Sequence, residues 1–205
     1  MSLSIRDVLL LPQLQAMRLR AGQAGENHQV RWPYVAENAS ITQWVLGGEL
    51  VFVTGINQPR SEANLQQLVR EAHERRCAGL VILTGPLYIQ QIPPSVLAEA
   101  DRLGVQLIEQ PYDLPMIGVT EAIGSALVQA QLLRSSRQQL IEQLLDGNIA
   151  DTTVLAHRAD RLAVDLRQPC HVLVVQLTGT AELFRALAPE TAESLLQSFR
   201  QEVLQ

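Results

Sequence analysis

Two short segments of this chain end in the same pair of residues and carry polar groups that could bind a ligand. Residues 50–55 read Leu-Val-Phe-Val-Thr-Gly, and residues 80–85, thirty positions later, read Leu-Val-Ile-Leu-Thr-Gly. A threonine hydroxyl both donates and accepts hydrogen bonds, and a glycine lets another group approach the main chain closely. With two nearby carboxylates and one arginine, these ends form a candidate ligand-binding set: Glu37, Glu49, Thr54, Gly55, Arg60, Thr84 and Gly85. Such a set suits a small polar ligand with N–H donors.

Each of these residues also has a structural interpretation. Each glycine can simply allow the turn out of a buried strand. Glu37 can accept hydrogen bonds from nearby main-chain N–H groups, and Glu49 can close the turn that begins the first repeated strand. Arg60 lies close enough to the first Thr-Gly to reach an anionic ligand, or it is a solvated loop residue. If Glu37 and Glu49 met in space they could form an acid–base pair, which the sequence does not decide.

The chain lacks the sequence patterns of most enzyme classes. Its four histidines, His28, His73, His157 and His171, have no metal-ligand spacing, although His73 and Cys77 share one helix face. All sixteen basic residues are arginine, which excludes chemistry that needs a lysine amine. There is no Gly-x-Ser-x-Gly elbow, phosphate-binding loop or dinucleotide fingerprint. We expect no catalytic residue, no metal and no cofactor.

The thirty-residue spacing predicts two parallel strands joined by a crossover helix. Ser61 is a candidate N-cap of that helix, and Leu65, Leu68, Val69 and Ala72 form its apolar stripe. Ligands of open parallel sheets bind outside the carboxyl ends of the strands. Both Thr-Gly pairs are therefore predicted to lie at one ligand-binding edge.

Residues 1–115 are predicted to form a mixed or parallel α/β domain with such crossovers. Two earlier strands, 17–21 and 30–36, flank a glycine-containing loop and suggest a hairpin or a close relative of one. The other predicted elements are a capped helix over 5–10, a one-turn helix over 41–46, a helix over 95–103 and a third strand over 105–109.

Residues 116–146 are predicted to form one long helix that links this domain to another. Its apolar residues keep a spacing of three and four that is typical of a coiled coil: Ile123, Ala126, Ala130, Leu133, Leu140 and Leu144. We expect a homodimer through this stripe; the alternative is an amphipathic helix lying on the second module. Residues 147–205, with a helix over 152–162 and a strand over 171–177, are predicted to be part of a second α/β domain in a longer protein.

Composition narrows the class further. The 205 residues are 47% hydrophobic, which is enough for a real core, and the net charge of −5 argues against this stretch gripping a nucleic-acid backbone. No uninterrupted apolar run approaches the roughly 20 residues that cross a bilayer, and residues 1–5 do not resemble a signal peptide. Cys77 and Cys170 match no redox or metal spacing. We expect a cytoplasmic protein without membrane contact.

An ordered set of segments resembles the N-terminal domain of PucR-type transcription regulators, the purine catabolism regulator family. The segments are Ile-Arg-Asp-Val-Leu at 5–9, Val-Arg-Trp at 30–32, Val-Ala-Glu at 35–37, Trp44 with 47–55, Ala-Gly-Leu at 78–80 and Pro-Met-Ile-Gly-Val-Thr-Glu-Ala at 115–122. The resemblance covers about residues 3–125, and residues from about 135 onward resemble the start of the GGDEF-like middle domain of these regulators. One departure is Ala36, where the family often has serine.

The resemblance implies a ligand-sensing region of a bacterial transcription regulator. It implies that DNA binding belongs to a helix-turn-helix beyond Gln205, that this stretch itself does not contact DNA, and that the ligand is a purine breakdown product or an amino acid. We expect ligand binding at the strand ends to change the geometry of the long helix. Two alternatives stay open: an accessory substrate-binding domain of a larger nucleotide-dependent enzyme, resembling the N-terminal domains of Mur ligases or HPr kinase, and a protein–protein interaction module.

Overall fold

Five strands form one mixed sheet in the order β1-β5-β4-β3-β2. The strands are β1 (Arg18–Ala21), β2 (Trp32–Val35), β3 (Glu49–Val53), β4 (Gly79–Thr84) and β5 (Leu107–Pro111). The four strands from β2 to β5 are parallel, and β1 runs antiparallel along the free edge of β5. This computed structural model describes residues 3–23, 28–147 and 152–166, together with Phe184, Arg185, Thr191, Leu195 and Leu196.

The predicted crossovers are confirmed. Helix α2 (Glu62–Glu74) joins β3 to β4, and helix α3 (Pro94–Leu103) joins β4 to β5. The Ser61 hydroxyl accepts a hydrogen bond from the main-chain N–H of Asn64 at 3.2 Å, so it caps α2 as expected. Gly104 ends α3 with a φ of +67°, the left-handed conformation that glycine adopts at helix ends.

The strands alternate their side chains between two apolar layers. On one face, Val51, Val53, Leu80, Ile82 and Leu107 pack against α2 and α3. On the other face, Leu50, Phe52, Val81, Leu83 and Ile108 pack against α1 (Ile5–Leu9) and the start of α4 (Met116–Leu145). The near-continuous apolar runs of β3 and β4 follow from this burial on both faces.

Two local predictions are wrong. The strands flanking Gly22 do not form a hairpin, because β1 pairs with β5 and β2 pairs with β3 at opposite edges of the sheet. Gly22 instead lets the chain pass close to β5: a Cβ atom there would lie 2.1 Å from the carbonyl oxygen of Val105. The predicted helix over 41–46 is a single turn, in which the N–H groups of Trp44 and Val45 donate to the carbonyl of Ile41.

The long helix is confirmed as α4, and it packs on two different partners. Val119 and Ile123, near its start, are fully buried in the core on the α1 side of the sheet. Leu140, near its end, is fully buried where α4 contacts α5 (Thr152–Arg161). The Nε of Arg137 donates to the carbonyl of Leu162 at 2.8 Å and ties α4 to the end of α5.

The predicted dimer stripe therefore faces the chain itself. Ile123 and Leu140 are enclosed within this chain, and the prediction that these two side chains pair with a second copy is wrong. Ala126, Ala130 and Leu144 are partly buried, and Leu133 is 48% exposed. The spacing of three and four was read correctly as one helix face, but the sheet and α5 occupy its two ends.

Helix α4 is also long and apolar enough to cross a membrane by length and composition alone, with a window of mean hydropathy 1.3 of which 11% is buried. The expectation that no segment reaches that length rested on uninterrupted apolar runs, and a helix with scattered polar residues escapes that criterion. Core helices of soluble proteins pass the same test, and Val119 and Ile123 place the start of α4 in such a core.

The chain divides into two compact units, Met1–Val164 and Asp165–Gln205. The first unit contains the sheet and all five helices named above. The predicted strand over 171–177 lies outside the described residues. The domain boundaries expected at 115 and 146 stay predictions.

Candidate functional site

The carboxyl edge of the sheet is formed by the segments that follow β2, β3, β4 and β5. Thr54 and Gly55 follow β3, and Thr84 and Gly85 end β4, so both repeated pairs lie at this edge as expected. Glu37 joins them, because β2 is paired in register with β3 and the N–H of Ala36 donates to the carbonyl of Phe52 at 2.8 Å.

Glu49 lies at the opposite edge of the sheet. It is the first residue of β3, five residues before Thr54, which corresponds to roughly 16 Å along a strand. Its carboxylate accepts hydrogen bonds from the main-chain N–H groups of Leu46 at 3.1 Å and Gly47 at 2.8 Å. The convergence of Glu49 with Glu37 is therefore wrong, because Glu49 holds the turn that starts the strand.

The first Thr-Gly pair forms a turn covered by a neighbouring loop. The Thr54 hydroxyl accepts a hydrogen bond from the N–H of Ile56 at 3.3 Å. Gly55 has a φ of +72°, and a Cβ atom there would lie 3.2 Å from Ile89 and 3.3 Å from Tyr88, which both belong to the loop after β4. This environment favours the structural interpretation of Gly55 as the residue that turns the chain out of β3.

The second Thr-Gly pair contacts charged and aromatic groups instead. The Thr84 hydroxyl donates to Oε1 of Glu109 at 2.8 Å, and Oε2 of Glu109 accepts a hydrogen bond from Arg20 on β1. The main-chain N–H of Tyr112 donates to the carbonyl of Thr84 at 2.8 Å. A Cβ atom on Gly85 would lie 2.6 Å from the Cβ of Tyr112, so only glycine fits there without movement of Tyr112.

Two tyrosines connect these ends. The rings of Tyr88 and Tyr112 are 5.6 Å apart between centroids and tilted by 49°, and both are partly exposed. Tyr88 packs on Gly55 and Tyr112 packs on Gly85. The tyrosine pair therefore covers the space between the two strand ends.

Arg60 fastens the segment after β2 to the start of α2. Its guanidinium donates to the carbonyls of Ala36 at 2.8 Å and Asn38 at 2.9 Å, and to the side-chain oxygen of Asn64 at 2.9 Å. Its Nε is buried and has no hydrogen-bond partner among the described residues. Burial lowers the pKa of Arg60, as expected for a cation whose partners are all neutral. The interpretation of Arg60 as a solvated loop residue is wrong.

Glu37 lies on the segment that Arg60 holds, and its side chain is exposed. Burial, with the nearby charge of Glu37 as a second cause, raises the pKa of Tyr34. Glu37 is thus the carboxylate of the predicted set that lies at the carboxyl edge and faces solvent.

The carboxyl edge leads directly into α4. Strand β5 ends at Pro111 and α4 begins at Met116, so four residues connect them. Gln110, fully buried, donates through Nε2 to the carbonyl of Leu114 at 3.0 Å, and its Oε1 has no partner among the described residues. The connection is therefore held from one side by Gln110 and from the other by the contact of Tyr112 with Thr84 and Gly85.

Sequence reasoning missed the charged and amide groups of this edge: Arg20, Glu109, Gln110 and Tyr112. A signal for them was present, because the strand around residues 105–110 carries polar side chains within an apolar run. In a strand with both faces covered, such residues are unusual and are expected to have a specific partner.

Elsewhere, a cavity of about 840 Å³ opens at the amino edge of the sheet, with His28, His73, Glu74, Arg76 and Cys77 among its lining residues. Burial, assisted by the charge of Glu49, raises the pKa of the Cys77 thiol to about 12, so the thiol stays protonated at neutral pH. Within the described part of the chain, no group of three or more His, Cys, Asp or Glu side chains is placed to hold a metal ion.

Comparison with known proteins gives two matches. The model of the purine catabolism regulatory protein-like family matches residues 7–127. The purine catabolism regulatory protein of Bacillus subtilis (strain 168) is 27% identical over 137 residues, which are 67% of this chain and 25% of that relative. The chain thus spans about a quarter of the length of the curated relative.

Proposed function

The chain belongs to the purine catabolism regulatory protein-like family, and on this premise we propose that it is the ligand-sensing N-terminal region of a transcription regulator. The observation that carries this proposal is the extent of the family match. It ends at residue 127, one helical turn beyond Ile123, which is fully buried in the core beneath the sheet. The matched unit is therefore the sheet together with the part of α4 that packs on it.

The ligand we propose is a small polar metabolite bound at the carboxyl edge. Arg60 supplies a partly desolvated cation whose hydrogen bonds all go to neutral acceptors, beside the amino end of α2. The amino end of a helix favours negative charge. Exposed Glu37, on the segment that Arg60 holds, would accept from N–H donors of the same ligand. A purine breakdown product or an amino acid with one carboxylate has both kinds of group.

The response we propose passes to α4 through the second Thr-Gly pair. A ligand that moves the loop after β4 also moves Tyr88, whose ring contacts Tyr112. Tyr112 begins the four-residue connection to α4. A shift at the edge would then alter how α4 leaves the sheet. DNA binding would belong to the part of the regulator beyond residue 205, in the cytoplasm.

A thermal-shift screen of purine catabolites and amino acids tests the proposal. A compound that binds only the folded chain raises the melting temperature by mass action. Glu37→Gln should reduce that shift with little change in the melting temperature of the unliganded chain, because the side chain is exposed.

Glu74→Gln is the matched control, since Glu74 is an exposed carboxylate beside the cavity at the amino edge. It should leave the shift unchanged. If Glu74→Gln abolished the shift while Glu37→Gln kept it, the ligand would bind at the wrong edge. If no compound bound and a partner protein did, the sensor proposal would fail.

A further inference from the structure

An apolar stripe on α4 points away from the rest of the first unit. It consists of Ile117, Gly124, Val128 and Leu132, which fall within roughly 80° of one another on a helix of 3.6 residues per turn. Ile117 is 78% exposed, Val128 53% and Leu132 62%. The buried residues Val119 and Ile123 lie on the other side of the same helix. We name these four residues the outer stripe.

The outer stripe is too apolar to be an ordinary solvated helix face. Only 11% of the apolar window of α4 is buried within this chain, although its mean hydropathy is 1.3. A contiguous exposed apolar surface on a soluble domain marks a contact with another molecule. The spacing of seven, four and four residues is that of a helix–helix seam.

The side chains along the outer stripe are complementary to a second copy of the stripe running the opposite way. In a two-fold antiparallel pair centred on Val128, position 124 of one copy lies opposite position 132 of the other. Gly124 has open space around it, since an added Cβ would meet nothing within 4 Å, and Leu132 is a large exposed side chain. A leucine of each copy thus packs over the glycine of its partner.

Charge favours the same orientation. Glu121 is exposed at the border of the outer stripe, and the antiparallel register places it opposite Ser135. A parallel pair in register would instead bring Glu121 against Glu121 and Gly124 against Gly124, which adds repulsion and leaves a gap. The sheet and α5 both contact α4 away from this stripe, so neither obstructs a partner helix.

We propose that two copies of this chain pair antiparallel through the outer stripe of α4. This goes beyond the ligand-sensing proposal and uses a different face from the stripe predicted from the sequence. Each sensor would then lie on the outside of the helix pair, and a change in how α4 leaves one sheet would be transmitted to the other copy.

Light scattering of the 205-residue chain at micromolar concentration should give a dimer. Leu132→Glu should weaken dimerisation roughly hundredfold or more, because it would bury a charge against Gly124 and Val128. Val128→Gln, a milder change at the same seam, should also shift the chain toward monomer. Gln129→Glu, exposed on α4 beside the outer stripe, should remain dimeric. Circular dichroism checks that all variants keep their helix content.

Disulfide cross-linking tests the orientation in a background with Cys77→Ala and Cys170→Ala. Gly124→Cys chains mixed with Leu132→Cys chains should form a disulfide between position 124 of one copy and position 132 of the other. A wild-type monomer, a dimer that survives both Leu132→Glu and Val128→Gln, or efficient linkage of position 124 to position 124 would overturn the proposal. A monomer that binds lipid vesicles through α4 would assign the stripe to a membrane instead. The ligand thermal shift should persist in the monomeric variants, which separates this proposal from the sensor proposal.

Discussion

The two Thr-Gly strand ends have the same sequence pattern but different surroundings. Thr54 and Gly55 form a local turn, in which the hydroxyl accepts a 3.3 Å bond from the N–H of Ile56, two residues on. Thr84 instead donates to Glu109, twenty-five residues away, and Gly85 packs against Tyr112 in the connection to α4. The first pair shapes one turn, and the second joins a strand to the helix that leaves the domain.

The position of each strand in the sheet explains this difference. Strand β4 lies beside β5, so its end meets the segment through which β5 passes into α4. Strand β3 lies between β2 and β4, so its end meets the loop that follows β4. The same two residues therefore acquire different roles from the neighbouring strand.

The glycines should give the largest measurable contrast. Gly85→Ala should lower the free energy of unfolding by about 2–3 kcal/mol, because the new Cβ overlaps the Cβ of Tyr112 at 2.6 Å. Gly55→Ala should cost about 1 kcal/mol, mainly for holding a non-glycine residue at a φ of +72°. Urea denaturation measures both values.

Hydrogen exchange gives this contrast a second readout. Gly85→Ala should speed exchange at residues 112–116, and Gly55→Ala should not. If both variants speeded exchange there equally, the two ends would not differ in their connection to α4.

The threonines should show a smaller contrast. Thr84→Val removes a 2.8 Å bond to a carboxylate and should destabilise the chain by about 1.5 kcal/mol. Thr54→Val removes only the long bond from Ile56 and should cost about 0.5 kcal/mol. Valine keeps the shape of threonine, so thermal unfolding reports the hydrogen bonds. Equal losses from the two substitutions would contradict the distinction drawn here.

The tyrosine pair should give the smallest effect and the most direct test of coupling between the ends. A double-mutant cycle with Tyr88→Ala and Tyr112→Ala should yield an interaction energy of about 0.5–1 kcal/mol, since the rings contact at 5.6 Å. The matched cycle of Tyr88→Ala with Tyr34→Ala should yield no coupling. A zero value in the first cycle would mean that the two strand ends respond independently.

Much of the fold could be read from the sequence because it depends on local patterns. The capped start of α2, the apolar runs of β3 and β4 and the thirty-residue length of α4 each follow from neighbouring residue types. The crossover spacing then fixes β3 and β4 as parallel, which places both Thr-Gly pairs at one edge.

The roles of individual polar residues could not be read in this way. Glu49 and Glu37 are twelve residues apart in sequence, yet they lie at opposite edges because one begins a strand and the other follows one. Arg60 has an ordinary loop sequence around it, and only the fold brings the carbonyls of Ala36 and Asn38 within reach of its guanidinium.

By itself, the sequence determined which segments are helices and strands, which side chains are apolar, and that no lysine chemistry is available. Only the tertiary structure decided that β1 joins β5 rather than β2, that Glu109 takes the Thr84 hydroxyl, and which face of α4 is left uncovered. Helix and strand periodicity depend on residues a few positions apart. Strand order, hydrogen-bond partners and the covered side of a helix depend on residues far apart in sequence, whose contacts are set by packing the whole domain.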